Sequence, residues 1–468
     1  MNMTYSLIRK KILLTFLLTL GLTYMAFGHV KWFSDFSFDD RPLTLSEAVG
    51  PLFIGFAVLS VLVILVMVLV DQKLNNWRLY NHINDWLVKR KHNSLLIMRI
   101  VTGATLLLSW QGDAILVPEL PITGAWVGWA QFLLAFLLLF DRTVKYSGAG
   151  LILLYLYSIL NFGFFHMLDH LLFAGAGYYL MVSDSENIKV KETRLPALYA
   201  TVGFSLCWLA IEKIIYPQWA LYILEQNPQL TLGLDLDFFL MGAAFVEFAL
   251  GYLLIICMLQ RPLALVITLV FFSTTLVFGK VEVIGHTLAH GALIVFLLEG
   301  PGNVYKAPIR FHKKLGLRAA FASVNFVALL AVLTLAYSYS AWHQYEERSG
   351  PVGEEMAMID AGEMDDIPTV TLHVIEDRMS GWNLRIETEN FTFAPESVGL
   401  PHIPGEGHVH LYINDRKADR IYANWHHLEY LPLGEDTLRV TLNANTHEEY
   451  ALDSAVISDE VTVIVEEY

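Results

Sequence analysis

Eleven stretches of this chain are each apolar enough and long enough to cross the hydrocarbon core of a bilayer: 12–28, 51–70, 96–116, 125–141, 148–166, 168–183, 196–215, 237–258, 262–279, 281–299 and 319–340. A helix rises about 1.5 Å per residue, so roughly 20 mostly apolar residues span about 30 Å of lipid tails. Backbone polar groups in lipid must be satisfied internally, which leaves a helical bundle as the fold such runs can adopt. The first run follows Arg9, Lys10 and Lys11 but has no small-x-small site before Gly28-His29, so it reads as a retained anchor. The stretch 76–92 reads as an amphipathic surface helix.

Short-loop basic residues set the orientation. The N-terminus, 71–95 (Lys73, Arg78, Lys89, Arg90, Lys91), 142–147 (Arg142, Lys145), 184–195 (Lys189, Lys191, Arg194), Arg261 and 300–318 (Lys306, Arg310, Lys313, Lys314, Arg318) are basic. The alternating loops 29–50, 117–124 and 216–236 are acidic or neutral. Eleven spans put every basic loop inside, in an inner (cytoplasmic) membrane, and the C-terminal region outside.

That C-terminal region has a different solvent. From Ala341 onward 26 acids face seven Lys/Arg, whereas the preceding residues carry 20 acids and 24 bases. An acidic tail of this kind excludes nucleic acid as a partner. Residues 342–366 read as an acidic linker carrying Met356, Met358 and Met364. From 367 the pattern turns to period two, in Thr369-Val-Thr-Leu-His-Val, Asn383-Leu-Arg-Ile-Glu, His408-Val-His-Leu-Tyr-Ile, Thr437-Leu-Arg-Val-Thr-Leu and Val461-Thr-Val-Ile-Val. Turn signals separate these runs, so 367–468 is expected to be an all-β immunoglobulin-like or cupredoxin-like sandwich. The only cysteines, Cys207 and Cys257, lie in apolar runs, which excludes disulfides from the β domain and CxxC redox chemistry from the chain.

Two blocks of four spans, 96–195 and 196–300, read as a parallel internal repeat. Gln111-Gly-Asp113 with Pro118 answers Ile211-Glu212-Lys213 with Pro217, each acid standing five residues before its proline. Gln131-Phe132 answers Glu247-Phe248, and Phe162-Gly163 with His170 answers Phe278-Gly279 with His286. The first match has an offset of 99 residues and the other two 116. The block 1–95 precedes the repeats, and 301–341 adds a basic loop and a last span. Through Glu212-Lys213, Tyr216-Pro-Gln-Trp219, Asp237-Phe-Phe, Glu247, Gly251 and His286 the second block resembles the DoxX-type four-helix membrane unit, with the first block a looser copy. The resemblance implies a quinone-linked membrane oxidoreductase subunit, since some members of that family serve quinone-coupled sulfur oxidation.

Ionisable groups at membrane depth are costly and so point to function. His166, Asp169 and His170 fall at i, i+3, i+4, and Glu282, His286 and His290 at i, i+4, i+8, so each set shares a helix face. Imidazoles with a carboxylate can hold copper, zinc or iron, and two imidazoles can hold haem. The plainer reading is interfacial histidine. Asp113, Glu212 and Glu247 are candidate buried acids for proton, quinone or ion chemistry, or interhelical hydrogen-bonding groups.

Seven of the 16 histidines lie in 367–468. His408 and His410 share one strand face, and Gly405-Glu-Gly-His-Val-His-Leu resembles the GxGHxH-type strand of small bacterial extracytoplasmic β domains. With His426, His427 and His447 they form a candidate copper or zinc set, with Met379 a candidate soft ligand and a solvated polar sheet face as the plain alternative. Without cysteine a blue-copper centre is excluded. Three functions stay open at this point. One is metal handling, copper foremost, with capture by the β domain and a second site between helices. The others are a DoxX-like oxidoreductase subunit with haem or quinone and an envelope scaffold; beyond lipid, the implied partner is a metal or redox partner at the outer face.

Overall fold

The computed structural model describes residues 29–34, 36, 40–231, 233–301, 308–349, 358–364, 366–377, 381–397, 400–414, 416–428, 431 and 434–465. The first apolar run, Met356 and Met379 lie outside the described residues. The chain divides into two compact units, one helical up to Ser340 and one from Ala341 onward that is mainly β and also takes in the stretch Ser37–Arg41.

The helical unit contains α1 (Pro51–Asn75), α2 (Arg78–Val88), α3 (Ser94–Gln111), α4 (Ala125–Leu137), α5 (Val144–Phe162), α6 (Leu171–Met181), α7 (Ile188–Ile215), α8 (Pro217–Gln226), α9 (Leu236–Ile255), α10 (Gln260–Phe278), α11 (Lys280–Glu299) and the start of α12 (Leu315–Ser349). Among the described residues eight helices are long and apolar enough to cross a membrane. The expected runs 125–141 and 168–183 form shorter helices, α4 and α6. A four-residue turn at Phe164–Met167 and a 3-10 turn at Leu168–His170 precede α6, so His166 and His170 do not lie on one regular α-helix.

Lipid-like surroundings explain the surface. Leu160 and Leu276 are 85% and 88% exposed, an arrangement that water would penalise and hydrocarbon does not. Helix α2 buries none of its residues, as befits an amphipathic surface helix. Helix α7 is the central one, packing against both α6 and α9.

The two four-helix stretches exchange partners. Helix α3 packs on α11, the last helix of the second stretch, and α7 packs on α6, the last helix of the first. Small residues let these backbones approach. A Cβ on Gly175 would strike Thr201, and one on Gly291 would strike Val101; Gly203 lies against Gly251, and Gly103 against Ala135. These pairs repeat with offsets of 116 and 100 residues. The structural offset of 100 sets Asp113 opposite Lys213, not opposite Glu212 as the spacing to proline suggests.

Among the described residues the second unit has eleven strands: β1 (Met358–Asp360), β2 (Thr369–Glu376), β3 (Trp382–Glu389), β4 (Thr392–Phe393), β5 (Glu406–Ile413), β6 (Arg416–Ile421), β7 (Trp425–Leu428), β8 (Gly434–Ala444), β9 (Glu449–Leu452), β10 (Ala455–Val456) and β11 (Ser458–Val465). One sheet runs β1-β9-β8-β5-β4 with β10, β11 and β6 attached, and the other is β2-β3-β7. Leu372, Leu384 and Ile386 of the small sheet share an apolar core with Val409, Leu411, Val440 and Leu442 of the large one. The expected linker is partly structured here: α12 runs to Ser349, Met358 opens β1, which pairs in parallel with β9, and Met364 packs on the core. Those two methionines therefore have structural places.

The crossing at Gly203 gives a test of the helix packing. A Cβ there would lie 2.6 Å from the Gly251 carbonyl oxygen, whereas one at Gly55 meets nothing within 4 Å. Overpacking costs about 1–3 kcal/mol or more. Gly203→Leu should broaden the gel-filtration peak and lower the unfolding temperature in detergent, and Gly55→Leu should change neither. Equal behaviour of the two would show that the crossing is not set by this contact.

Candidate functional site

A short segment that the sequence reading passed over as loop organises the polar interior of the helical unit. His29 and a 3-10 turn, Val30–Trp32, put His29 and Lys31 at 5% and 3% exposure. The Lys31 ammonium lies 2.6 Å from Asp169 Oδ2 and 2.6 Å from Glu212 Oε2. Tyr337 donates its hydroxyl to the same Glu212 oxygen at 3.3 Å. Lys213 makes a separate pair with Glu247, at 2.8 Å. A cation between two carboxylates offsets part of their desolvation, which an isolated buried charge could not do.

The rings of the segment form a stack through the same region. His29 stacks on His170 with centroids 5.0 Å apart, and on Trp32 at 4.8 Å. Trp32 meets His286 at 4.8 Å, and His286 stacks on Phe271 at 4.1 Å. Trp32 can reach this place because position 285 is glycine; a Cβ there would fall 1.9 Å from the indole. By the 116-residue offset Gly285 answers Asp169, so one position receives Lys31 and its counterpart receives Trp32. His170 and His286, the pair matched in sequence, are thus linked through His29 and Trp32.

A second missed residue completes the cluster. Glu119 stands in a loop whose neighbours Ile115, Leu116, Val117 and Leu120 are buried. Gln131 holds that loop, its Oε1 accepting from Leu116 N at 3.0 Å and its Nε2 donating to Ala114 O at 3.0 Å. Asp113 and Leu116 both adopt positive φ, 54° and 65°, a strained backbone that persists where surroundings over-determine it. The loop delivers the Glu119 carboxylate, 2% exposed, to three imidazoles: Oε1 is 2.7 Å from His170 Nε2 and 3.9 Å from Nε2 of both His29 and His166. Glu119 Oε1 and His170 Nε2 are close but not aligned as a hydrogen bond, and neither Glu119 oxygen has another hydrogen-bond partner among the described residues. Ligand atoms of His29, Glu119 and His170 lie within 4.8 Å of one another, as do those of His166, Asp169 and His170. A metal bound at about 2.0–2.2 Å would hold its ligand atoms within about 4.4 Å of one another, so small side-chain adjustments would bring these groups to ligand spacing.

Charge makes the same demand. Glu119, Asp169, Glu212, Glu247 and Glu282 are five buried carboxylates set against the two ammonium groups of Lys31 and Lys213. Glu282 pairs with His286 one turn along α11. The excess negative charge calls for protons on the imidazoles or carboxylates, or for a bound cation.

Not every expected residue joins the site. Asp113 is exposed, because α3 ends at Gln111 and residues 112–113 form the turn beyond it. His290 lies against Phe271 and Phe272, two turns along α11 from Glu282. Glu212 and Glu247 are buried, but in ion pairs. Lys31 and Glu119 carried one signal each, one of two bases in a loop with four acids, and an acid amid apolar loop residues.

The β unit holds a separate cluster. His408 and His410 are fully buried on one face of β5, with Nε2 atoms 2.9 Å apart, and face Asn443 and Thr441 of β8. Gly407 allows that pairing, since a Cβ there would fall 1.8 Å from Asn443 O. His447 closes the group from the β8–β9 turn with φ of 73°, and the ligand atoms of the three imidazoles lie within 4.8 Å of one another. Burial and the nearby Glu449 push the Tyr412 hydroxyl up to about 12. His426 and His427 do not join: they sit on β7 in the other sheet, paired with Asp419 at 3.0 Å and Asn383 at 3.0 Å.

No family model, curated protein or solved structure matches this chain.

The ion triple around Lys31 can be broken and repaired. Lys31→Met leaves Asp169 and Glu212 buried without their cation, an effect of about 3–5 kcal/mol. The unfolding temperature in detergent should fall, and adding Asp169→Asn with Glu212→Gln should recover most of the loss. A Lys31→Met protein as stable as the parent would remove this triple from the forces that hold the unit together.

Proposed function

We propose that this chain binds and handles transition-metal ions at two places, a His/Glu centre among its helices and a three-histidine centre in its β unit. The observation that carries the reading is the convergence of three imidazole Nε2 atoms on the single buried carboxylate of Glu119. His29, His166, His170 and Glu119 would be the ligands, with Asp169 at hand; His408, His410 and His447 would be the ligands in the β unit. Imidazole with carboxylate and no thiolate suits copper(II), zinc or iron. The loop charges support a β unit on the outer side, which would act as an immunoglobulin-like or cupredoxin-like sandwich that captures metal, and 12–28, 125–141 and 168–183 would complete eleven spans.

A quinone-linked DoxX-like subunit is the second reading. Its support is the Asp169–Lys31–Glu212–Tyr337 chain, which has the components of a proton path. Haem fits less well, because the cavity beside His29, His170 and His286 is about 50 Å³, far too small for a porphyrin.

The test is the metal content and visible spectrum of the full chain in mild detergent. Copper, zinc or iron should co-purify without a Soret band. Glu119→Gln/His170→Ala should abolish one centre and His408→Ala/His410→Ala the other, each weakening affinity by more than the roughly 10–100-fold that outer-shell changes cause. A chain that takes up no metal when supplied with each ion, or whose uptake ignores both double variants, ends the metal reading. A Soret band dependent on His170 would establish haem instead.

A further inference from the structure

Helix α11 runs from Glu282 and His286 to Glu299, and a different polar site lies beyond its far end. The 17 and 13 residue steps from Glu282 and His286 to Glu299 span about 20–26 Å of helix. A cavity of about 140 Å³ opens there between the end of α1 (Asp71, Asn75), α2 (Tyr80, Asn84), the start of α10 (Gln260, Arg261), Pro301 and Arg310. A single water needs only roughly 10–15 Å³ of such space, so the cavity suits a larger polar group.

Four features give this cavity its character. First, α10, a 19-residue helix, begins here after Leu259 in the left-handed conformation (φ 52°) and without any side-chain cap, so its positive end faces the space. Second, Gln260 is 5% exposed and lines the cavity; its amide lies against the Cys257 thiol, a weak acceptor, and its Nε2 makes no well-aligned hydrogen bond among the described residues, while the buried Asn84 Oδ1 of the same lining is likewise unsatisfied. Third, Arg261, 8% exposed, is locked in place: Nε donates to Leu297 O at 2.7 Å and Nη2 to Leu298 O at 3.1 Å, closing the end of α11. Fourth, Arg310 adds a second guanidinium to the lining. Among the described lining residues the one acid is Asp71, and it is taken by Arg318 at 2.6 Å.

We infer that this cavity is a binding site for a phosphate group. Two guanidinium groups, a buried amide donor and an uncapped helix start converge on it, the donor set that a tetrahedral oxyanion recruits. Amphipathic α2 forms one wall, which places the cavity at headgroup depth. The phosphate is therefore that of an anionic phospholipid or of a small soluble phosphate, and the same four groups would hold either. The site is independent of the metal reading and shares no residue with it.

The test uses the full chain with Gln260→Ala/Arg310→Ala, which leaves the Arg261 bonds to α11 intact. Phosphatidylglycerol binding in mild detergent is followed by native mass spectrometry against dioleoylglycerol, which has the tails but no phosphate. Inorganic phosphate binding is followed by calorimetry. The parent should retain phosphatidylglycerol over dioleoylglycerol or bind phosphate, and the double variant should bind at least about tenfold more weakly while unfolding at the parent's temperature. Lipid binding alone assigns a headgroup, and phosphate binding alone assigns a soluble ligand. Binding of neither, equal retention of dioleoylglycerol without phosphate binding, or undiminished binding in the variant overturns the inference. If the variant unfolds early, Gln260→Ala alone, which removes only the buried amide, must show the weakening.

Discussion

A buried ammonium between two buried carboxylates is the contact on which the helical unit depends. Lys31 reaches Asp169 at the turn before α6 and Glu212 near the end of α7, joining elements from the two repeat-like stretches. None of the three groups could stay charged alone in so dry a place. Anchoring Lys31 also fixes its neighbours: His29 is laid on His170 and Trp32 on His286. The polar cluster is therefore assembled by the chain before α1 as much as by the bundle itself.

The local devices around it are of one kind, namely backbone kept in place by strain or by missing side chains. The Glu119 loop holds two non-glycine residues at positive φ, and Gln131 bonds it from the adjacent helix. Gly285 gives Trp32 its seat, and Gly407 lets β5 close on β8 so that His408 and His410 are buried together. Each of these positions trades local stability for the placement of a neighbouring side chain.

Much of the frame was legible in the residues. Long apolar runs marked the spanning helices, period-two runs marked β2, β3, β5, β8 and β11, and the i, i+2 rule paired His408 with His410. Gly163-to-His170 against Gly279-to-His286 revealed the correspondence of the two stretches. The site was less legible because its makers come from loops. Lys31 and Glu119 obey no period, and only tertiary contact buries them. The apolar run 96–116 hid the end of α3 at Gln111, which is why Asp113 looked like an intramembrane acid. His426 and His427 looked equivalent to His447 by composition alone, and only the division into two sheets separates them.

The exchange of partners between the two stretches bears on how such a chain is made. Helix α3 emerges early, yet the surface it packs against belongs to α11, the last helix of the second stretch. During synthesis the Val101 face of α3 must wait, covered by lipid or by a chaperone, until Gly291 arrives. The first four helices thus cannot reach their final arrangement while the ribosome is still working on the second four. The contact between α3 and α11 therefore forms only after α11 has been made, and a chain truncated before α11 lacks the surface that packs on Val101.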